Sequence, residues 1–203
     1  MQLICELGLY NAIFSVIPQE IKSQVPPNLF QDISSDAIAA ASILHAFSST
    51  GKLDLPPPHP ALLSRIQEDS LSRARLYLAS LLLPFQGFTY IDRKKKTHSV
   101  LSAVIRQSLK LGTQNHYLDG IPVLFAGVPV IKDGMRKHEK EPMSRAELGL
   151  LLRHKSIHNS LTGLHWSTSM LFSLMTDLVP CCNSQGNGYL SEYSHEILLL
   201  IKN

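Results

Sequence analysis

Short apolar stretches alternate along this chain with polar breaks marked by proline or glycine, and most of the apolar stretches have helical spacing. A first apolar element runs from Leu3 to Phe14 with Gly8 inside it, and Pro18, Pro26 and Pro27 mark the loop after it. Ser34 or Ser35 with Asp36 then opens an Ala-rich helix, DAIAAASILHAFSS, offering side-chain oxygens to unpaired backbone N–H groups. Gly51 and the run Pro56-Pro57-Pro58 with Pro60 break it. Proline fixes φ and lacks a donor, so 56–60 predicts a stiff connector. Ala61–Glu68 and Leu71–Leu83 read as helices. In the second, Leu71, Arg75, Leu78 and Leu82 share a face that Leu76, Ala79 and Leu83 widen, and Pro84 and Gly87 end it.

Phe88–Ile91 fits either a brief strand or an extended loop ahead of the basic run Arg93-Lys94-Lys95-Lys96. A helix from about Ser99 to Leu111 points Val100, Val104, Ile105 and Leu109 inward and keeps Arg106 and Lys110 on its polar side. Pro122, Gly127 and Pro129 argue against an uninterrupted helix over Ile121–Ile131. Ser144 caps a helix running to about Arg153, and Glu147, three residues on, completes a capping box. A further helix covers His165–Leu178, the polar stretch Cys181–Gly188 follows, and Tyr189–Lys202 adds a terminal helix. The pattern predicts an all-α protein, an irregular helical bundle. Its parts are a helical segment over 1–55, the connector 56–60, a helical region over 61–180 and a divergent C-terminus over 181–203.

Composition narrows the class. Hydrophobic residues make up 44% and charged residues 17%, which is too apolar for a disordered chain. The longest apolar runs, Leu76–Pro84 and Ile121–Ile131, fall well short of the ~20 residues of a spanning helix. No basic segment and cleavage pattern opens the chain, so a secretory signal is not expected. Cys5, Cys181 and Cys182 are odd in number and poorly spaced for disulfides, which favours a reducing, intracellular compartment. The net charge of +3 conceals an asymmetry. Residues 92–155 hold thirteen Lys/Arg against six Asp/Glu, while 1–91 hold five against seven and 156–203 one against three. A basic middle between acidic flanks suits a phosphate-bearing partner, and suits a solvated face equally well.

The candidate site residues lie in that middle. Arg93, Lys94, Lys95 and Lys96, with Tyr90 just before them, form either a loop able to meet a phosphate backbone without reading bases or a solubilising turn. Arg145, Arg153 and Lys155 make a second patch, the two arginines eight apart and close to one helical face. Trp166, alone among Leu, Met and Phe, reads as a core residue rather than a stacking platform. His154 and His158, four apart, lack the glutamate of an HExxH string and read as helix-end or loop histidines, not metal ligands. Adjacent Cys181 and Cys182 read as plain thiols. No nucleophile–base pair or phosphate-cradling loop stands out, so no catalytic residue is assigned.

Three stretches carry a family resemblance: LICELGLYNAIF (Leu3–Phe14), RARLYLASLLLPFQGFTYIDRKKKTHSV (Arg73–Val100), and SRAELGLLLR with the downstream HWSTSMLFSLM (Ser144–Met175). Together they resemble the C-terminal body and tail of eukaryotic, fungal-like CCA-adding tRNA nucleotidyltransferases of class II, over about Gln2 to Leu178. The resemblance implies a helical region that grips tRNA by shape and backbone, and it would make Ile121–Ile131 helical. It also implies that Mg2+, CTP and ATP belong to a catalytic head not represented in these residues. The head's paired carboxylates are missing, since the chain contains no Asp-x-Asp. The family's Glu-Asp-x-x-Arg nucleotide motif has only a near match, Glu68-Asp69 with Arg73. There the arginine is displaced by one residue, about 100° around a helix, and downstream of the expected place.

Cys181–Asn203 does not match the family's tail, so both ends read as cut, and a truncated gene model is one expectation. The family's compartments are nucleus, cytoplasm and mitochondrion. The expected partner is tRNA, with a separately encoded catalytic head docking on the apolar Leu3–Phe14 end as a further expectation. The alternative is a helical protein-interaction module without an RNA role.

Overall fold

The computed structural model describes residues 3–4, 7–26, 29, 34–48, 58–110 and 116–183, with the backbone alone for 34, 116–119 and 181–183. Expectations for Cys5, for residues 56–57 of the connector, for the thiols of Cys181 and Cys182 and for the terminal helix over 189–202 lie outside the described residues. Of the rest of the connector 56–60, His59 caps the next helix and Pro60 is its first residue. The described chain is mostly helical. In order it forms α1 (Leu9–Phe14), α2 (Gln19–Lys22), α3 (Ser34–Ser48), α4 (Pro60–Glu68) and α5 (Ser70–Leu81). A 3-10 turn (Leu83–Phe85) leads to β1 (Thr89–Ile91) and β2 (Thr97–Ser99), then to α6 (Val100–Ala103), a π turn (Val104–Ser108), α7 (His116–Lys140), α8 (Arg145–Leu152) and α9 (Trp166–Asn183).

The centre of the fold is α9, which packs against α3, α4 and α7, while α3 packs on α5. Every residue from Ser167 to Met175 is buried, so this helix is enclosed on all sides. Its serines and those facing it are tolerated because their hydroxyls bond nearby carbonyls. Ser169 Oγ donates to Ile157 O at 2.7 Å and Ser80 Oγ to Leu76 O at 2.8 Å.

Several expectations are corrected. Gly8, at φ +63°, divides the apolar element: Leu3 and Ile4 are helical, Leu7 N donates to Leu3 O at 3.0 Å, and α1 follows over Leu9–Phe14, burying Tyr10 and Phe14. Tyr10 Oη donates to Leu81 O, joining α1 to the end of α5. On α5 the predicted face holds except for Leu71, which sits in the first turn and is 63% exposed. Arg75 goes the other way and is only 4% exposed. A buried guanidinium needs acceptors, and it donates to Thr162 O at 2.7 Å and Gly163 O at 3.1 Å. The helix expected over Ser99–Leu111 is α-helical for one turn only. Leu109 N donates to Val104 O at 3.0 Å, five residues back, which widens the next turn into a π turn.

Helix α7 runs unbroken through Pro122, Gly127 and Pro129. Each proline removes one N–H bond, yet Ile121, Leu124, Phe125, Val128, Ile131 and Met135 form a continuous buried stripe that holds the helix. Gly127 is a contact residue, not a breaker. A Cβ there would stand 2.4 Å from Ser156 O, so its absence lets the turn after α8 lie directly on α7. The capping box at α8 forms as predicted: Glu147 N donates to Ser144 Oγ at 3.3 Å and Ser144 N to Glu147 Oε2 at 2.9 Å.

Candidate nucleic-acid interface

The run Arg93–Lys96 is the turn of a β-hairpin, an element the all-α expectation lacked. Gly87, at φ +81°, swings the chain out of the 3-10 turn into β1. β1 and β2 pair antiparallel with Tyr90 opposite His98, their ring centroids 5.6 Å apart. At the tip, Asp92 N donates to Lys96 O and Lys95 N to Asp92 O, each at 2.9 Å, and Lys95 takes a left-handed φ of +59°. This is a three-residue hairpin loop whose left-handed position normally carries glycine. A side chain there costs about 1 kcal/mol.

Asp92 latches the loop from inside. Its Oδ1 accepts the Lys94 and Lys96 backbone N–H groups, both at 2.8 Å, and its Oδ2 lies 2.8 Å from His98 Nε2. The Lys96 amide, then His98, holds the Asp92 carboxyl below the ordinary carboxylate range. Its charge is therefore engaged by the loop it supports, while Lys94, Lys95 and Lys96 stand exposed. Arg93 behaves differently. It is ion-paired with Glu20 of α2, so it braces the hairpin as well as adding charge. Gln24 completes the support by bonding both backbone groups of Ile91: its Nε2 donates to Ile91 O at 3.1 Å and Ile91 N donates to its Oε1 at 2.8 Å. Between α2 and the hairpin lies an open cleft of about 720 Å³ lined by Glu20, Gln24, Tyr90, Arg93, Lys94 and Gln107.

Arg145, Arg153 and Lys155 are also exposed. Arg145 is the first residue of α8 and Arg153 follows its last, so a rise of about 1.5 Å per residue puts their backbones about 12 Å apart. Lys155 lies in the following turn. This region rests on α7, through Leu151 against Gly134 and through a Lys137–Glu147 ion pair at 3.4 Å. The two basic patches thus stand on different supports.

The remaining candidates have structural explanations. Asp69 is the N-cap of α5, accepting Leu71 N at 3.0 Å and Ser72 Oγ at 2.7 Å, and Arg73 donates to Ile66 O at 3.4 Å. The Glu68-Asp69 string is therefore a helix junction. His154 and His158 lie in a turn, where His154 Nδ1 accepts Ser156 N at 3.3 Å. Trp166 is half-buried at the edge of the core instead of inside it. Among the described residues no helix is long and apolar enough to cross a membrane. The residue that sequence reasoning passed over is Asp92. The signal for it was there, an aspartate heading a turn whose next amides it can accept. No family model, characterised protein or solved structure matches the chain.

Proposed function

We propose that this chain is a helical RNA-holding module that grips tRNA through its phosphate backbone, as the body and tail of class II CCA-adding tRNA nucleotidyltransferases do. The observation that carries this reading is the hairpin tip. A lysine occupies a backbone position that favours glycine, inside a loop latched so that consecutive lysines face solvent. Strain held at an exposed charged position is a ground for a functional reading. No phosphodiester chemistry is assigned to these residues. The family's Mg2+, CTP and ATP need paired carboxylates of a catalytic head, and the chain has no Asp-x-Asp.

The test is a tRNA titration at several salt concentrations, with the variant carrying Lys94→Ala, Lys95→Ala and Lys96→Ala beside the wild type. Affinity should fall steeply with salt, and the slope of log K against log salt should shrink by about two to three units in the variant. An unchanged slope overturns the reading. A second reading, a helical protein-interaction module, has one observation in its favour: Leu3, Leu7, Leu9 and Val16 are exposed around α1. It predicts partner binding that salt leaves unchanged and that Leu7→Ser with Leu9→Ser removes.

A further inference from the structure

The π turn over Val104–Ser108 borders the cleft between α2 and the hairpin. Turns of this kind are rare and gather at functional sites. Ser108 fixes this one to the end of α1: its Oγ donates to Ile13 O and accepts Val16 N at 3.1 Å. Gln107, next to it, is exposed and lines the cleft. Most polar groups of the cleft wall are already engaged. Gln24 clasps Ile91, Glu20 pairs with Arg93, and the Asp92 carboxyl is held by its own loop. Ser23 Oγ donates to Glu20 O at 3.1 Å. Three groups are left to meet a ligand. The Gln107 amide and the Tyr90 hydroxyl have no hydrogen-bond partner among the described residues, and the Lys94 ammonium has no ion-pair partner among them. The Tyr90 ring is half-buried and backed by His98 at 5.6 Å, while Pro18 and Ile91 add exposed apolar surface.

We infer that this cleft takes one unpaired nucleotide of the bound RNA, its base against Tyr90 and Gln107 and its phosphate at Lys94. This inference rests on the RNA reading given above and names what the hairpin site holds besides backbone. The cleft, at about 720 Å³, has room for a nucleotide. Bases inside an RNA duplex keep their edges out of reach. An unpaired base can instead be splayed out, laid on an aromatic ring and hydrogen-bonded along its edge. The Gln107 amide offers an acceptor and a donor side by side, the pair that adenine takes at N6 and N7. Glu20 and Asp92 are both engaged, so the phosphate meets Lys94 without a free carboxylate to repel it. A free nucleotide carries the same chemistry but lacks the flanking phosphates that Lys95 and Lys96, outside the cleft, are placed to hold.

The probes are two stem–loop RNAs alike but for one bulged nucleotide, an adenosine in one and an abasic ribose in the other. They carry the same phosphates, so the difference between them reads the base alone. The wild-type chain should bind the adenosine bulge about tenfold more tightly, at low and high salt alike. Gln107→Ala with Tyr90→Phe removes two unbonded polar groups and keeps the ring, and should bring that ratio down to about threefold, the share left to stacking. Lys95→Ala with Lys96→Ala should weaken binding of both RNAs and keep the full ratio. A wild-type ratio near one, or a ratio undiminished in the Gln107/Tyr90 variant, overturns the inference. Salt-dependent binding of both RNAs then leaves the hairpin reading intact. Adenosine monophosphate should bind far more weakly than the bulged RNA; equal affinity would assign the cleft to a free nucleotide and overturn the RNA source. If neither RNA binds, both readings fall.

Discussion

Helix α7 at Gly127 and the hairpin at Lys95 treat the backbone in opposite ways. At Gly127 an ordinary helical residue has had its side chain removed so that another backbone can touch it. At Lys95 a position that favours glycine has been given a long charged side chain. The first choice lowers helix propensity and gains packing; the second accepts strain and gains an exposed charge. Interior contacts have only stability to offer. The hairpin tip carries its strain at an exposed position, and what that strain is for is the question the variants below put.

The largest expected effect is at Gly127. Gly127→Ala should lower the free energy of unfolding by about 3 kcal/mol, because a Cβ at 2.4 Å from Ser156 O has only backbone to push against. Urea denaturation measures it through a lower midpoint at unchanged slope. Gly149 is the control. It lies within α8 with nothing within 4 Å of an added Cβ, so Gly149→Ala should raise stability by about 0.5–1 kcal/mol. If both alanines stabilise, close approach is not what Gly127 is for, and the contrast with Lys95 fails on its packing side.

These positions also mark how much was legible in the sequence. The period of apolar residues located α5, α8 and α9, and the Ser144/Glu147 string marked a helix start that forms as a capping box. What it misread were residues whose role depends on a partner far along the chain. Gly127 and Pro129 are locally breakers, and only the contact with Ser156 and the buried stripe on α7 show why they are accepted. Arg75 looked like one polar position on an amphipathic face, because its acceptors lie 87 and 88 residues away. The basic run was found, but its hairpin was not. β2 is three residues long, and neither Thr97 nor Ser99 shows the apolar alternation by which strands are recognised.

A smaller effect separates the latch at the tip from its charge. Removing an acid beside three lysines would ordinarily tighten binding to an anion. If the latch matters, Asp92→Ala should instead weaken tRNA binding about fivefold, because the Lys94 and Lys96 amides lose their acceptor and the tip becomes an ensemble. Asp92→Asn keeps an Oδ1 for both amides while losing the charge, and should bind at least as tightly as wild type. The acid side has a sign as well. The Asp92 carboxyl titrates below the usual 3.8 in the folded chain, so its contribution is complete above that value and is lost as pH falls through the lowered one. Hairpin amide protection, measured by hydrogen exchange, should therefore be constant from pH 7 down to about 4 and fall only below it. If Asp92→Ala binds more tightly than wild type, the aspartate acts as a repelling charge and nothing more.

The smallest effect is the one that sharpens the contrast most, because its two readouts should move in opposite directions. Lys95→Gly relieves a left-handed side chain and should raise the free energy of unfolding by about 0.5–1 kcal/mol. The same change removes one exposed cation, so tRNA affinity near physiological salt should drop about two- to threefold and the salt slope by about one unit. Urea denaturation and a salt-dependent titration on the same preparation measure both. A gain in stability with unchanged affinity would mean that the lysine is a folding compromise with no ligand behind it. A loss of stability would mean that the lysine stem packs on the hairpin and that φ alone is a poor guide here. Only the opposed pair, steadier and weaker-binding, fits a tip in which strain is kept for the sake of charge.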